Sequence, residues 1–341
     1  MPILPPPFDL DRVERQLAGT RFARLRHVTT TGSTNADLML DAHAGAPDGT
    51  VLVADEQTAG RGRSGHAWHS AVGDGLYLSI LVRPRTTLPL DRALWLSLAT
   101  GLAAKRAIDA LLAAQQQSAP ALPRSEASAT DDDSAARTRP DHINLPNAGR
   151  QPAKLSAASR TDIRWPNDLL LDGKKCGGIL VESAVTPSAA GAPATLRFAI
   201  LGIGLNLNQP EFPPELAALA TSLRLATGLP CARETMLVHL LGELEEELAA
   251  LECEAADTEN HPSGSGTEPD ETLRIGKHSV PSGLLARFTR ASTWVHGKHV
   301  HVAEAGGYTG VTAGLDLRGY LTVVDDDGRL RTVLSGGVRA R

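Results

Sequence analysis

Between Asp55 and Trp68 the chain reads D-E-Q-T-A-G-R-G-R-S-G-H-A-W. Gly60, Gly62 and Gly65 alternate there with Arg61 and Arg63, and an apolar run from Thr50 to Ala54 comes just before. Glycine lets a backbone take positive φ and approach a ligand closely. Arginine brings a planar, permanent charge whose fork suits phosphate or carboxylate. A loop made of both is suited to wrapping an anion. Further along, R-W-P-N-D-L-L-L-D-G-K-K-C-G-G-I-L places Arg164, Asn167, Asp168, Lys175 and Gly178 in one short stretch. Upstream, T-G-S-T-N sets Ser33, Thr34 and Asn35 at the start of a helical pattern. Free backbone N–H groups at such an end favour an anion or a polar ring.

Other chemistries fit less well. Gly60, Gly62 and Gly65 match G-x-G-x-x-G, but a dinucleotide turn must open directly into a helix. Here H-A-W-H-S-A-V-G-D-G follows, without a helical period. His66 and His69 lie three apart with no third metal ligand nearby, and His299 and His301 share a face that reads as solvated strand. Taken alone, Pro166-Asn167-Asp168 is turn chemistry, and Lys175 is a solvated hairpin residue.

These groups need elements to hold them. Residues 1–20 are Pro-rich and then charged, and read as a short arm. Strands are expected over 21–30, 49–55, 76–82, 162–165, 169–171, 175–182 and 195–207. Asp172-Gly173 is a type I′ hairpin signal. Helices are expected from Ser33 or Thr34 to His43, over 90–114, 214–220 and 233–251, and over 282–290. Residues 115–160 and 254–270 are polar and aperiodic and read as surface insertions. After residue 290 strand patterns alternate with Gly-containing turns over 300–304, 308–316, 320–325 and 330–334. The expected domains are therefore an arm (1–20), a catalytic domain (21–290) and a small C-terminal β domain (291–341).

Composition narrows the class. The 341 residues carry a net charge of −5, which argues against a general nucleic-acid or membrane-surface binder. No apolar run reaches the roughly 20 residues of a membrane span. Three cysteines, Cys176, Cys231 and Cys253, form neither a disulfide framework nor a zinc pattern, so a cytoplasmic location is expected. There is no room for a helix-turn-helix domain before Thr30, which argues against a built-in repressor.

In this order, S-T-N, Gln57 with the G-R-G-R-S-G loop and Trp68, R-W-P-N-D with K-x-G-G-I-L, G-I-G-L-N, and then a small β domain, the chain closely resembles the bacterial biotin protein ligases of the monofunctional type. The resemblance covers most of residues 25–340 apart from the two insertions. It implies an α/β (α+β) fold: a mixed sheet flanked by helices, of the class II aminoacyl-tRNA synthetase/biotin ligase kind, followed by a small SH3-like barrel. It also implies that biotin and ATP, with Mg²⁺, are joined to biotinyl-5′-AMP. The biotin then passes to one lysine of a biotin carboxyl carrier protein, such as that of acetyl-CoA carboxylase. Neither nucleic acid nor membrane is an expected partner, and a homodimer is left open.

By the same resemblance Ser33, Thr34, Asn35 and Gln57 match positions that contact biotin. Gly60, Arg61, Gly62 and Arg63 match the loop closing over carboxylate and phosphate, and Lys175 matches the lysine touching both. Trp68 matches a tryptophan that packs near the adenine. Arg164, Asn167, Asp168, Gly178 and Asn206 lie in matched nucleotide-side motifs, with Asp168 a candidate base toward the acceptor amine. Two departures stand out: Arg164 where lysine is usual, and His66 where arginine is frequent. The alternatives are a lipoate or octanoate ligase or transferase of the same superfamily, and a non-catalytic biotin sensor. Because biotin's own carboxylate attacks, no protein nucleophile is needed. Lys175→Ala and Arg63→Ala are each expected to lower adenylate formation strongly. Wild-type rates in a biotin-dependent adenylation assay would remove them from the site.

Overall fold

In the computed structural model, residues 7–118, 160–186, 194–260 and 283–341 are described. Helix α1 (Leu10–Gln16) comes first, capped by Asp9, whose side chain accepts from the Arg12 N–H. Val13 and Leu17 are buried in the main core. The stretch read as an arm therefore contributes to that core.

There follow β1 (Arg24–Thr31), α2 (Thr34–His43), β2 (Thr50–Gln57), β3 (Gly75–Val82), α3 (Leu94–Ser118), β4 (Thr161–Arg164), β5 (Asp168–Leu171), β6 (Lys174–Thr186) and β7 (Thr195–Asn206). After them come α4 (Pro214–Ala217), α5 (Leu223–Thr227), α6 (Arg233–Asn260) and α7 (Leu284–Ala291). The strands form one seven-stranded sheet in the order β1-β2-β3-β7-β6-β5-β4. β1 and β2 are parallel, as a strand–helix–strand unit requires; β2 and β3, and the later neighbours, pair antiparallel. The sheet is thus mixed, as expected from the sequence. Asp172 and Gly173 both take positive φ, 49° and 78°, as a type I′ turn demands.

Side-chain alternation divides the sheet into two faces. On β7, Leu201, Ile203 and Leu205 enter the large core under α3 and α6, while Phe198 and Ile200 join Leu38, Ala42 and Leu81 in a small core under α2. Two positions on, that second face changes character: Gly202 pairs with Ser79 and Leu180, and Gly204 with Tyr77 and Gly178. The face packed by α2 gives way there to a floor opened by Gly202 and Gly204 on β7 and Gly178 on β6.

Two stretches read as insertions partly belong to helices: 115–118 continue α3 and 254–260 continue α6. The rest of both stretches, bar Arg160, lies outside the described residues. No helix among the described residues is long and apolar enough to cross a membrane.

β8 (His296–Val302), β9 (Tyr308–Leu315), β10 (Leu321–Asp325), β11 (Leu330–Val333) and β12 (Val338–Ala340) form a five-stranded antiparallel sheet ordered β11-β10-β9-β8-β12. The short β12 was not among the expected strands. This small sheet is stitched to the large one along β4. Ser292 Oγ donates to the Ile163 carbonyl at 2.6 Å, the Thr293 N–H donates to Asp162 Oδ1 at 3.0 Å, and the Trp165 indole N–H donates to the Gly319 carbonyl at 2.9 Å. Trp165 is 3% exposed, so losing its N–H strands a carbonyl away from water. Trp165→Phe is expected to cost about 1–3 kcal/mol, read as a fall in denaturant midpoint at unchanged slope.

Candidate active site

The glycine floor carries one aromatic ring. A Cβ on Gly204 would lie 2.5 Å from Trp68 Cε2, and one on Gly178 would lie 3.2 Å from Trp68 Cζ3. These two glycines face each other across β6 and β7. The indole lies on a surface only glycine leaves open. Lys175 Nζ sits 5.4 Å from the indole ring centre and 3.4 Å from where a Gly178 Cβ would be. Above the floor is a narrow cleft of about 50 Å³.

One end of the cleft is polar and buried. The Ser33 side chain caps α2, as its place before the helix predicts, accepting from the Ala36 N–H. Asn35 Nδ2 donates to Glu182 Oε2 at 2.7 Å and to the Leu180 carbonyl at 3.3 Å. Both amide protons are used, and Asn35 Oδ1 is left facing Ser79 Oγ at 2.6 Å. An amide oxygen has no proton, so Ser79 must donate to it. Gln57 Oε1 accepts from the Thr34 N–H at 2.9 Å. The single Thr34 hydroxyl proton is claimed by Ser79 Oγ, 2.7 Å away, or by Gln57 Oε1, 3.0 Å away. In either case the Thr34 oxygen offers a ligand lone pairs only. The Gln57 amide nitrogen, a donor, is turned toward Gly60, 3.4 Å from where its Cβ would be. An acceptor and a donor thus meet at one end. Gly202 is required beneath them: a Cβ there would come within 2.2 Å of Asn35 Oδ1.

The opposite end is cationic. The Gly/Arg loop folds back on itself, with the Trp68 N–H donating to the Gly60 carbonyl at 2.9 Å and the Gly62 N–H to the His66 carbonyl at 2.7 Å. A 3₁₀ turn over Arg63–Gly65 closes it. Arg63 Nη2 donates to the Ser335 carbonyl at 2.8 Å, so the C-terminal sheet holds the loop's second arginine. Burial lowers the Arg63 guanidinium against the pull of Asp168 and Glu304, from a starting value so high that it stays charged. Asp168 lies between two cations. Its Oδ2 accepts from Arg164 Nε and Nη2 at 3.0 and 2.6 Å, and its Oδ1 pairs with Lys175 Nζ at 2.5 Å. Burial pushes this carboxyl up, but Lys175 and Arg164 outweigh it and hold it below the usual range. Burial pushes the neighbouring Cys176 thiol up to about 12, consistent with a packed residue rather than a nucleophile.

Of the residues singled out from sequence, Ser33, Thr34, Asn35, Gln57, Arg61, Gly62, Arg63, Trp68, Asn167, Lys175 and Gly178 line the cleft. Arg164 and Asp168 line an adjoining cavity whose far wall includes Ser335, Gly336 and Arg339. Gly60 lines neither cavity, and its carbonyl accepts the Trp68 N–H. Asn206 lines neither cavity: its Nδ2 donates to the Thr221 carbonyl and its Oδ1 accepts from Gln209, both bonds buried. Its place is structural. Asn35 spends its donors on the protein, so it offers a ligand at most one lone pair. Trp68 lies on the floor beside Lys175. The sequence reading missed Ser79, Glu182, Gly202 and Gly204. A serine inside L-Y-L-S-I-L-V was the available signal, since a buried hydroxyl needs a partner.

Residues 27–192 match the Biotin/lipoate A/B protein ligase family. The chain is 34% identical over 249 residues to the Biotin--[acetyl-CoA-carboxylase] ligase of Mycobacterium tuberculosis, covering 72% of each. It is 32% identical over 216 residues to the Bifunctional ligase/repressor BirA of Bacillus spizizenii, covering 63% of this chain and 49% of that one. The chain thus spans about half the length of such bifunctional relatives. Its fold is similar to that of the Biotin protein ligase from Aquifex aeolicus in complex with biotin and ATP, with a TM-score of 0.60, 24% identity, and 94% and 99% of the two chains covered.

Ionised Asp168 contributes stability above its unfolded value of about 3.9, and that contribution is lost as pH falls through the lower folded value. Asp168→Asn is therefore expected to be less stable than wild type at pH 7, with the gap closing below about pH 4. Denaturant unfolding across that range measures it, and a pH-independent gap would contradict the assignment.

Proposed function

The chain belongs to the biotin/lipoate A/B protein ligase family, and on that premise we propose that it is a biotin protein ligase. Biotin and ATP give biotinyl-5′-AMP and pyrophosphate, and the biotinyl group then passes to a lysine of a biotin carboxyl carrier protein. The observation that carries this choice within the family is the polar end of the cleft. Thr34 offers an acceptor and Gln57 a donor, both held by the Ser79–Asn35–Glu182 hydrogen bonds. A cyclic urea has N–H groups and a carbonyl side by side and satisfies both. A lipoyl or octanoyl chain ends in sulfur or methyl groups and would offer nothing to the buried Thr34 acceptor or to the half-buried Gln57 donor. Sites built to hydrogen-bond a substrate reject such analogues strongly.

With the urea at that end, the acyl chain runs along the cleft past the Trp68 indole that covers Gly178 and Gly204, and its carboxylate reaches Lys175 and the arginine loop. The carboxylate oxygen bonds to the α-phosphorus, the bond to the pyrophosphate oxygen breaks, and pyrophosphate leaves. Two anions must meet, so fixed cations that need no rearrangement lower the barrier. Lys175, Arg61 and Arg63 are those cations. Asp168, ionised between Arg164 and Lys175, is a weak base. Its proposed task is to aim Lys175 rather than to take the acceptor proton suggested by the sequence. Mixed anhydrides hydrolyse, and the loop shields this one from water until the carrier amine attacks the carbonyl and AMP leaves.

Asp168 is the one acid among the described residues lining the two cavities, and both its oxygens are taken. The residues do not form a preformed Mg²⁺ site, and no step here passes through one. A Mg²⁺ arriving on the nucleotide phosphates needs no such cluster.

Purified chain with radiolabelled biotin, ATP, Mg²⁺ and a biotin carrier domain tests the proposal. Label should reach the carrier only when ATP is present. Transfer of lipoate or octanoate with no transfer of biotin would contradict it.

A further inference from the structure

We propose that Trp294, the residue through which the chain enters the C-terminal sheet, is a positioning residue for the cationic end of the site. It holds Arg164, Arg164 holds Asp168, and Asp168 holds Lys175. This deepens the reading of the site as a ligase site and rests on it.

Each link is visible. The segment leading into β8 runs along β4. Ser292 and Thr293 are tied to Ile163 and Asp162 by side-chain and backbone hydrogen bonds, including one from Thr293 Oγ1 to Asp162 Oδ2 at 2.5 Å. The next residue, Trp294, is 7% exposed, and the Arg164 guanidinium carbon lies 5.5 Å from its ring centre. An arginine against an aromatic face is held in position and orientation by the ring quadrupole. Arg164 can then aim two N–H groups at one oxygen, Asp168 Oδ2, at 3.0 and 2.6 Å. That fixes the carboxylate plane and leaves Oδ1 facing Lys175 Nζ at 2.5 Å. Lys175 is 34% exposed and on a flexible stem. Nothing else described places a charged partner on its ammonium, so its aim depends on the carboxylate. Lys298 lies 5.2 Å from the same indole, so the ring is occupied by cations of both domains. Lysine at position 164 would present a point charge rather than a flat fork, and neither the stack nor the paired donation would survive it.

The test uses the full chain and biotin-dependent ATP–pyrophosphate exchange, with Trp294→Leu, Trp294→Phe, Arg164→Lys and the Leu/Lys double variant. Because Lys175 serves both the carboxylate and the phosphate, Trp294→Leu should raise KM for ATP and for biotin about tenfold each, and Arg164→Lys should do the same. Because the two act in series, the double variant should be no worse than the more affected single one. Trp294→Phe keeps a ring and should stay within about threefold of wild type. A merely structural role for Trp294 would instead lower thermal stability and leave both KM values of the folded molecules near wild type. A second readout does not need turnover: the Asp168 carboxyl, followed by carbon-13 NMR and assigned with Asp168→Asn. Its titration should move upward in Trp294→Leu and in Arg164→Lys, and stay in place in Trp294→Phe. Wild-type KM in Trp294→Leu, or additive effects in the double variant, overturns the proposal. Should Trp294→Leu not fold, Arg164→Lys alone decides: unchanged KM and carboxyl titration overturn it. Absence of exchange in the wild type would count against the ligase reading, and the carboxyl titration would still decide the positioning.

Discussion

A half-buried carboxylate shared by two cations is the interaction on which the rest of the site depends. Asp168 receives Arg164 on one oxygen and Lys175 on the other. Arg164 and Lys175 keep part of their surface in water, so the pairing serves to orient the three groups more than to stabilise the fold. The arrangement also keeps a lysine at the edge of a cleft in one place. The C-terminal part of the chain reaches it at two points, through Trp294 beside Arg164 and through Ser335 against Arg63. The residues of the C-terminal sheet and its loops are therefore part of the site's construction rather than an appendage to it.

The other constraint is the absence of side chains. β6 and β7 pair with Gly178 opposite Gly204 and Leu180 opposite Gly202, leaving room for an indole and an asparagine that any Cβ would displace. The face that further along the strand packs Phe198 and Ile200 against α2 becomes a binding floor without any change of backbone. Register does this work, since a slip by one residue would put Ile203 and Leu205 where the glycines are.

Much of this was legible in the sequence. The helix cap at Ser33, the I′ turn at Asp172-Gly173 and the loop from Gly60 to Gly65 follow from local chemistry, and local chemistry survives folding. The adjacency of that loop to Lys175 was inferred from the resemblance and is met in the structure. What was not legible depends on pairing. Gly202 and Gly204 sat in a noted motif, yet attention went to Asn206, whose amide turns out to tie Thr221 and Gln209 together. Ser79 was hidden in an apolar run because alternation alone does not say which face is empty. Glu182 acts through Asn35, 147 positions away in the chain. β12 is three residues long, too short for a periodic signal.

The central claim is that the polar end of the cleft reads a urea. Equilibrium calorimetry on the full chain measures this directly, comparing biotin with an analogue whose urea is replaced by an apolar ring of the same shape. The account predicts heat and saturation with biotin and a loss of affinity of about a hundredfold or more with the analogue. Equal affinity for the two would contradict it.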